Sequence, residues 1–190
     1  MRVIGGAARG RRLKVPKGQA VRPTAARVKE SLFNILPHDL SGLRVLDLFA
    51  GSGNVSIEAL SRGAKKAILI DESPRSAAVI RENLTRLGLS GRAQVRTSPV
   101  LRSLRKLAKL RESFDMIFLD PPYDRDLVGA TLKVIGQGNL LADAGTVVAE
   151  HSAREAVQSQ YQDLVLNDQR RYGDTLLSFF KRAMTLNSAD

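Results

Sequence analysis

Residues 43–63 have the sequence LRVLDLFAGSGNVSIEALSRG, which predicts a buried strand, a glycine-rich turn and a helix in succession. The apolar run is residues 43–49, the helix is expected over about 55–62, and Gly63 ends it. Glycines between a strand and a helix let the backbone approach a ligand and leave amide groups free at the helix N-terminus. The segment therefore predicts an α/β fold with a ligand site at this turn.

The rest of the chain continues this alternation. Apolar runs at 66–71, 93–97, 114–120 and 145–151 predict further strands, and helices are expected at about 74–87, 101–110 and 126–136. Nearly continuous apolar strands that alternate with helices are typical of a parallel sheet covered on both faces. Runs at 164–171 and 175–182, joined by Tyr172-Gly173-Asp174, predict an antiparallel hairpin that closes the sheet. We expect one domain over residues 1–190, with an N-terminal extension (1–38) and a catalytic core (39–183).

Most of the positive charge lies at the N-terminus. The net charge of the 190 residues is +11, and the first thirty residues contain nine Lys or Arg against one acid, Glu30. Apolar residues and glycines are interleaved with these cations, which predicts a folded basic β-hairpin followed by a helix from about Pro23. A solubilising tail is the alternative, but a folded basic arm favours nucleic acid as the partner. The candidate RNA contacts are Arg9, Arg11, Arg12, Lys14, Arg22 and Arg27.

Several classes of chemistry are excluded by composition. The chain has no cysteine, so disulfides, thiolate metal sites and cysteine nucleophiles are ruled out. The two histidines, His38 and His151, are too scattered to indicate a zinc centre, and we assign both to structure. No apolar run approaches the ~20 residues that a membrane span needs, and the N-terminus lacks a secretory signal. We expect a cytoplasmic monomer with no metal, no membrane contact and no disulfide partner.

Two acids flank the glycine-rich turn. Asp47 precedes Gly51 by four residues, and Ser56 stands where a dinucleotide fingerprint would have its third glycine. A carboxylate at Asp47 would repel a pyrophosphate but attract the ammonium of a methionine moiety. Asp71 ends the second strand, where a carboxylate can bind both ribose hydroxyls. This pattern favours S-adenosylmethionine over a dinucleotide, with a turn that binds no ligand as the alternative.

A second motif, Asp120-Pro121-Pro122-Tyr123, follows the fourth strand. The Asp120 carboxylate and the Pro121 carbonyl can each accept one N–H of an exocyclic base amine, which concentrates electron density on nitrogen and orients it. The prolines add no backbone donor and stiffen the segment, and Tyr123 can stack on a base held out of its helix. An ordinary turn is the alternative. At the end of a sheet strand, the motif predicts methyl transfer to a base amine.

These motifs resemble a known family. The stretches DLFAGSGNVSIEA (47–59) and DPPY (120–123) are similar to class I S-adenosylmethionine methyltransferases that act on exocyclic nitrogens. Three further stretches, RVIGGAARGRRLKVP (2–16), RPTAARVKESLFNIL (22–36) and RRYGDTLLSFF (170–180), resemble one branch closely. That branch is the bacterial 16S ribosomal RNA guanine-N2 methyltransferases of the RsmD type, and the similarity extends from Arg2 to Lys181.

The resemblance implies a seven-stranded, mostly parallel Rossmann-like sheet with helices on both faces and an antiparallel last strand. It implies a 16S rRNA or small-subunit assembly particle as partner, and a target guanine held by residues 120–123. Such enzymes often carry Asp or Asn after strand three to read the adenine amine, and here Ser98 could donate or accept in its place. The candidate cofactor residues are Asp47, Phe49, Gly51, Ser52, Gly53, Asp71 and Ser98.

Other functions compete with this interpretation. An adenine-N6 methyltransferase presents its exocyclic amine to the same acceptors, so the residues alone do not separate it from a guanine-N2 enzyme. Methylation at pyrimidine carbon 5 needs the absent cysteine nucleophile. A nicotinamide-dependent oxidoreductase is disfavoured by Ser56 and by the lack of a catalytic histidine near the strand ends. A non-catalytic RNA-binding protein would explain the basic arm but not the three acids Asp47, Asp71 and Asp120.

Overall fold

The chain forms one continuous sheet with helices against both of its faces. The structure is a computed structural model that describes residues 1–16, 23–122 and 126–183. The helices are α1 (Pro23–Ile35), α2 (Asn54–Ser61), α3 (Pro74–Arg86), α4 (Val100–Lys109) and α5 (Leu127–Gln137). The strands are β1 (Arg44–Leu48), β2 (Lys66–Asp71), β3 (Ala93–Thr97), β4 (Phe114–Leu119), β5 (Leu141–Ser152), β6 (Gln160–Tyr161), β7 (Leu164–Tyr172) and β8 (Thr175–Arg182). In the part of the chain described, no helix is both long and apolar enough to cross a membrane.

The strand order is β3-β2-β1-β4-β5-β8-β7-β6. The first five strands in this order are parallel, and β8, the last strand in sequence, inserts antiparallel between β5 and β7. This confirms the predicted fold class, with eight strands rather than seven. The additional strand, β6, has only two residues, which is too short to show an apolar alternation. β5 also begins at Leu141, four residues before its predicted start.

Alternate residues of each central strand face opposite sides of the sheet, as the two-residue period of a strand requires. Val45, Leu69, Phe118 and Val148 pack against α1, α2, α3 and the N-terminal segment. The opposite face packs against α4 and α5 through Leu46, Ile68, Ile117 and Val147. Each fully buried aliphatic side chain contributes about 1.5–3 kcal/mol to stability, so both faces need this helical cover.

Residues 1–16, here called the N-terminal segment, fold back on themselves as predicted. A single antiparallel bridge joins Arg2 to Arg12, and the amide of Val3 donates to the carbonyl of Arg11 at 3.0 Å. The hairpin is thus closed by one bridge rather than by a ladder, and packing holds it in place. Val3 and Leu13 are buried in the core beneath the helices.

A buried carboxylate anchors the N-terminal segment to α2. Glu58 is fully buried and accepts hydrogen bonds from the amides of Ile4 (2.8 Å) and Gly5 (2.7 Å). Its charge is balanced by Arg62 at 3.0 Å and Lys29 at 3.2 Å. Removing one partner from such a buried ion cluster typically costs about 3–5 kcal/mol, because a charge is left uncompensated. The cluster therefore fixes the segment onto the first helix of the core.

Candidate functional site

The strand order reverses between β1 and β4, and ligands of open α/β sheets bind outside the carboxyl ends of strands at such a switch point. β1 runs parallel to both β2 and β4, with Leu48 paired to Ile70 on one side and to Leu119 on the other. The turn after β1, Asp71 at the end of β2 and Asp120 after β4 consequently share one edge. The structure brings together the segments predicted to bind cofactor and substrate.

The glycine-rich turn after β1 requires left-handed backbone at three positions. Phe49, Gly51 and Gly53 have φ values of 63°, 56° and 75°. A bulky residue in this region stores about 1–3 kcal/mol of strain, so Phe49 is held there by its surroundings. A Cβ added at Gly53 would lie 3.1 Å from the side chain of Leu69, which leaves little room for another residue. The turn thus leaves backbone without bulky side chains at the start of α2, where a ligand can approach it closely.

Asp71 connects the turn to the edge of the site. One carboxylate oxygen accepts the amide of Gly51 at 2.8 Å, and the other accepts the amide of Ser73 at 2.8 Å. An ionised carboxylate has about four acceptor positions, so two remain for ligand hydroxyls. The half-buried Ser98 is held alongside, because its amide donates to the carbonyl of Asp71 at 3.1 Å.

Asp47 lies beneath the turn rather than on its surface. The residue is only 2% exposed, and one carboxylate oxygen accepts the amide of Ser56 at 3.2 Å. Burial raises the pKa of Asp47 to about 7; the negative charges of Asp120 and Asp71 add to the rise, and hydrogen bonding from Ser56 opposes it. A buried carboxyl that titrates near neutrality is common at functional sites.

Two polar side chains connect the turn to the N-terminal segment, and sequence reasoning missed both. The side-chain amide of Asn83 on α3 donates to the carbonyls of Ser52 (3.2 Å) and Lys14 (2.9 Å). The ammonium of Lys29 on α1 donates to the carbonyl of Arg2 at 2.6 Å and to the side chain of Asn54, the first residue of α2, at 2.8 Å. Their signal in the sequence was a polar residue on the apolar face of an amphipathic helix.

The tetrapeptide after β4 is described for three of its four residues. Asp120 and Pro122 are exposed and Pro121 is buried, whereas Tyr123 lies outside the described residues.

A cavity of about 280 Å³ opens between the loops that follow β4 and β5. It is lined by Asp126, Arg154, Glu155 and Ala156.

Glu150 near the end of β5 is a further acid of this edge that sequence reasoning missed. β4 and β5 are parallel with Leu119 paired to Ala149, so Asp120 and Glu150 follow as neighbours. Burial raises the pKa of Glu150 to about 8, and the charge of Asp120 adds to the effect. The available signal was an acid directly after the apolar run VVA.

Of the candidate RNA contacts, those within the described residues lie in the N-terminal segment or on α1. Arg9, Arg11, Arg12 and Arg27 are exposed, and Arg22 lies outside the described residues. Lys14 forms an exposed ion pair with Glu82, so part of its charge is compensated. This leaves the three hairpin arginines as the clearest cationic surface of the segment.

Neither histidine belongs to this edge as a metal ligand. His151 is buried and hydrogen-bonds through its ring nitrogens to Ser178 (2.8 Å) and to the carbonyl of Ser152 (3.0 Å). His38 is exposed on the loop after α1. Over residues 1–16, 23–122 and 126–183, no group of three or more His, Asp or Glu side chains is placed to hold a metal ion.

Comparison with known proteins gives consistent matches along nearly the whole chain. The family model described as "Conserved hypothetical protein 95" matches residues 1–181. YlbH of Bacillus subtilis is 40% identical over 182 residues, covering 96% of this chain and 99% of that protein. Ribosomal RNA small subunit methyltransferase D of Escherichia coli is 32% identical, covering 96% of this chain and 90% of that protein. The solved structure of yhhF from Escherichia coli superposes with a TM-score of 0.82 at 32% identity, covering 96% and 97% of the two chains.

Proposed function

We propose, because this chain belongs to the family described as conserved hypothetical protein 95, that it methylates ribosomal RNA with S-adenosylmethionine as the methyl donor. The observation that carries the proposal is the shared edge at the switch point. There the glycine-rich turn and Asp71 lie beside the segment that begins with Asp120. A relative over most of the chain's length is named a small subunit ribosomal RNA methyltransferase, which supports the same reaction class.

The residues around the turn fit S-adenosylmethionine. Asp71 has acceptor positions left for ribose hydroxyls, and the hydroxyl of Ser98 beside it can accept from an adenine amine. The backbone of residues 49–53 offers close approach to a ligand. Asp47 lies beneath it with a pKa of about 7, and a nearby ammonium would favour its ionised form. When bound, the cofactor provides an electrophilic methyl group on a sulfonium.

The residues after β4 supply the acceptors for the nucleophile. Asp120 and the carbonyl of Pro121 each accept an N–H of an exocyclic base amine, which raises the electron density on nitrogen and aims it toward the methyl donor. Tyr123 is proposed to stack on the base. We propose guanine N2 of 16S rRNA as the target, on the resemblance of residues 2–16, 22–36 and 170–180 to that branch. Adenine N6 remains the rival target, since the same acceptors would serve it.

The N-terminal segment is proposed to hold the RNA while the base enters the site. Its exposed arginines and Arg27 on α1 are suited to phosphate contacts, and we propose the same role for Arg22. Asn83 and Lys29 join this segment to the glycine-rich turn, so RNA held there stays in register with the cofactor residues. The substrate would be 16S rRNA or an assembling small subunit. A monomer and a cytoplasmic location stay predictions.

Product analysis tests the proposal. The protein is incubated with labelled S-adenosylmethionine and unmodified 16S rRNA or small subunits, and the labelled nucleoside is identified after digestion. We expect N2-methylguanosine. N6-methyladenosine would instead establish the rival target, and RNA binding without any transfer would favour the non-catalytic alternative.

Asp120→Ala provides the companion prediction. The variant is expected to lose at least about a hundredfold in kcat, the usual loss when one preorganised group at the reacting atom is removed. Its affinity for S-adenosylmethionine, measured by calorimetry, should change little because Asp71 and the turn are intact. Turnover close to that of the parent protein would remove Asp120 from the mechanism.

A further inference from the structure

Glu150 is placed by strand pairing next to the proposed catalytic carboxylate. The parallel register of β4 and β5 ends with Leu119 opposite Ala149, so Asp120 and Glu150 are the next residues along their strands. Val148 packs into the core beneath α1, α2 and α3, and the two-residue period of the strand directs Glu150 toward that same side. Phe118 lies on the same face, two residues before Asp120. The two carboxyl groups therefore belong to one side of one sheet edge.

The surroundings of Glu150 differ from those of Asp120. Glu150 is partly buried in the strand, whereas Asp120 is exposed at its end. On β8, the residue paired with Glu150 is the apolar Leu177. Directly after β4, Asp120 is the charged group that acts on Glu150, and the same carboxylate also acts on the buried Asp47 of β1. Two adjacent carboxylates repel each other, so one of the pair tends to stay protonated. The proton stays on the less solvated group, because burial disfavours its charged form.

We propose that Glu150 is a positioning residue that acts through Asp120, donating a hydrogen bond to that carboxylate and holding it toward the target amine. The inference rests on the proposed methyltransferase function and assigns a second acid to its site. Burial together with the charge of Asp120 raises the pKa of Glu150 to about 8, which agrees with a proton resident on Glu150 at neutral pH.

The arrangement decides which carboxyl group is ready to accept a proton. During transfer a nitrogen–carbon bond forms, the sulfur–carbon bond breaks with its electron pair left on sulfur, and one proton leaves the nitrogen. Asp120 can take that proton, and later release it to water, only if it is ionised beforehand. A proton kept on Glu150 leaves Asp120 in the ionised form and fixes its orientation.

The test compares Glu150→Gln and Glu150→Ala with the parent protein on unmodified 16S rRNA between pH 6 and 9.5. The parent kcat is expected to fall as the pH rises through about 8, because Glu150 then loses the proton that it donates. Glu150→Gln keeps an N–H donor that cannot ionise, so this fall should be absent. Glu150→Ala should lose about tenfold to a hundredfold in kcat at pH 7, the effect of removing one hydrogen bond to a charged group.

Cofactor affinity and melting temperature, measured for all three proteins, separate positioning from folding. Comparable values in the parent protein and Glu150→Gln, with pH profiles that differ as described, support the inference. Identical pH profiles would overturn it, since an inflection common to both belongs to the RNA or to another group. Full activity in Glu150→Ala would also overturn it. A parent protein that transfers no methyl group to RNA refutes the proposed function itself, and the inference falls with it.

Discussion

Replacing Asp47 by Asn should make the folded chain less sensitive to alkaline pH. Asp47 is 2% exposed, and its pKa is raised from 3.8 to about 7, chiefly by burial. The folded protein therefore holds this proton more tightly than the unfolded chain does. The stability gained from the proton is complete below pH 3.8 and is lost as the pH rises through about 7. Asn cannot ionise, so the Asp47→Asn variant does not lose stability in this way as the pH rises.

The magnitude follows from the two pKa values. The difference between 3.8 and about 7 corresponds to about 4 kcal/mol in the free energy of unfolding once the pH is well above 8. Between pH 5 and pH 8 the loss amounts to about 2–3 kcal/mol. The amide group of Asn adds a constant cost if its N–H groups lack acceptors, about 1–3 kcal/mol. The constant cancels when the two proteins are compared across pH rather than at one pH.

Urea unfolding at several pH values between 5 and 8 measures the effect. The free energy of unfolding of Asp47→Asn minus that of the parent should grow by about 2–3 kcal/mol over this interval. Asp143→Asn is the matched control, because Asp143 is exposed on β5 and the same atoms are exchanged. For the control the difference should stay nearly constant.

A difference that does not vary with pH for Asp47→Asn would refute the reasoning, because the carboxyl would then titrate alike in the folded and unfolded chain. Binding gives an independent check. The variant lacks the negative charge proposed to favour the ammonium of the cofactor, so calorimetry should show weaker binding of S-adenosylmethionine. Greater stability at pH 8 combined with weaker binding would identify Asp47 as a residue retained for function.

Two further predictions concern the N-terminal segment. Exchanging the exposed Arg9, Arg11 and Arg12 for Gln should weaken rRNA binding and lower the slope of log K against log salt by about 2 to 3. The control removes the same charge from α4, at Arg102, Arg105 and Lys109, and should have a smaller effect. Equal slopes for both triple variants would place the RNA elsewhere. Gly6→Ala should destabilise the chain by about 2–4 kcal/mol in urea unfolding, since the new Cβ would lie 1.9 Å from the carbonyl of Ser61 at a φ of +71°. Gly10→Ala at φ +80° meets no atom within 4 Å and isolates backbone strain, so equal losses in the two variants would exclude the contact as the cause.

The fold was predictable because its core elements are long and apolar enough to show their period. The bounds of β2, β3 and β8 match the predicted runs, and the closing hairpin predicted the antiparallel pairing of β7 with β8 but not the insertion of β8 between β5 and β7. The two residues of β6 contain no complete alternation, and Tyr161 is held there by tertiary contacts. Its ring packs edge-to-face on Phe180, and its hydroxyl accepts the amide of Gln158 at 2.9 Å. No pattern within a short segment encodes such contacts.

The candidate site was predictable where the chain itself brings residues together. The turn, Asp71 and Asp120 each follow a strand directly, so parallel topology is sufficient to gather them at one edge. Glu150, Asn83 and Lys29 depend instead on register and on helix packing, which a single sequence does not specify. The burial of Asp47 was missed for the same reason: its position before the turn indicated a charge, but not that α2 would cover it.

The distribution of unfavourable groups across the sheet supports the assignment of the site. Asp47 and Glu150 are carboxyl groups with raised pKa values, and Phe49 has a strained backbone, yet all three belong to the edge at the carboxyl ends of β1 and β5. On the same side of the sheet, Glu58 is even more deeply buried but is satisfied by two cations and two amides. The chain can therefore compensate a buried carboxylate fully where only packing is required. Asp47 and Glu150, at the carboxyl ends of β1 and β5, have fewer such partners. This is expected if a cationic donor and a base amine interact with this edge during the reaction.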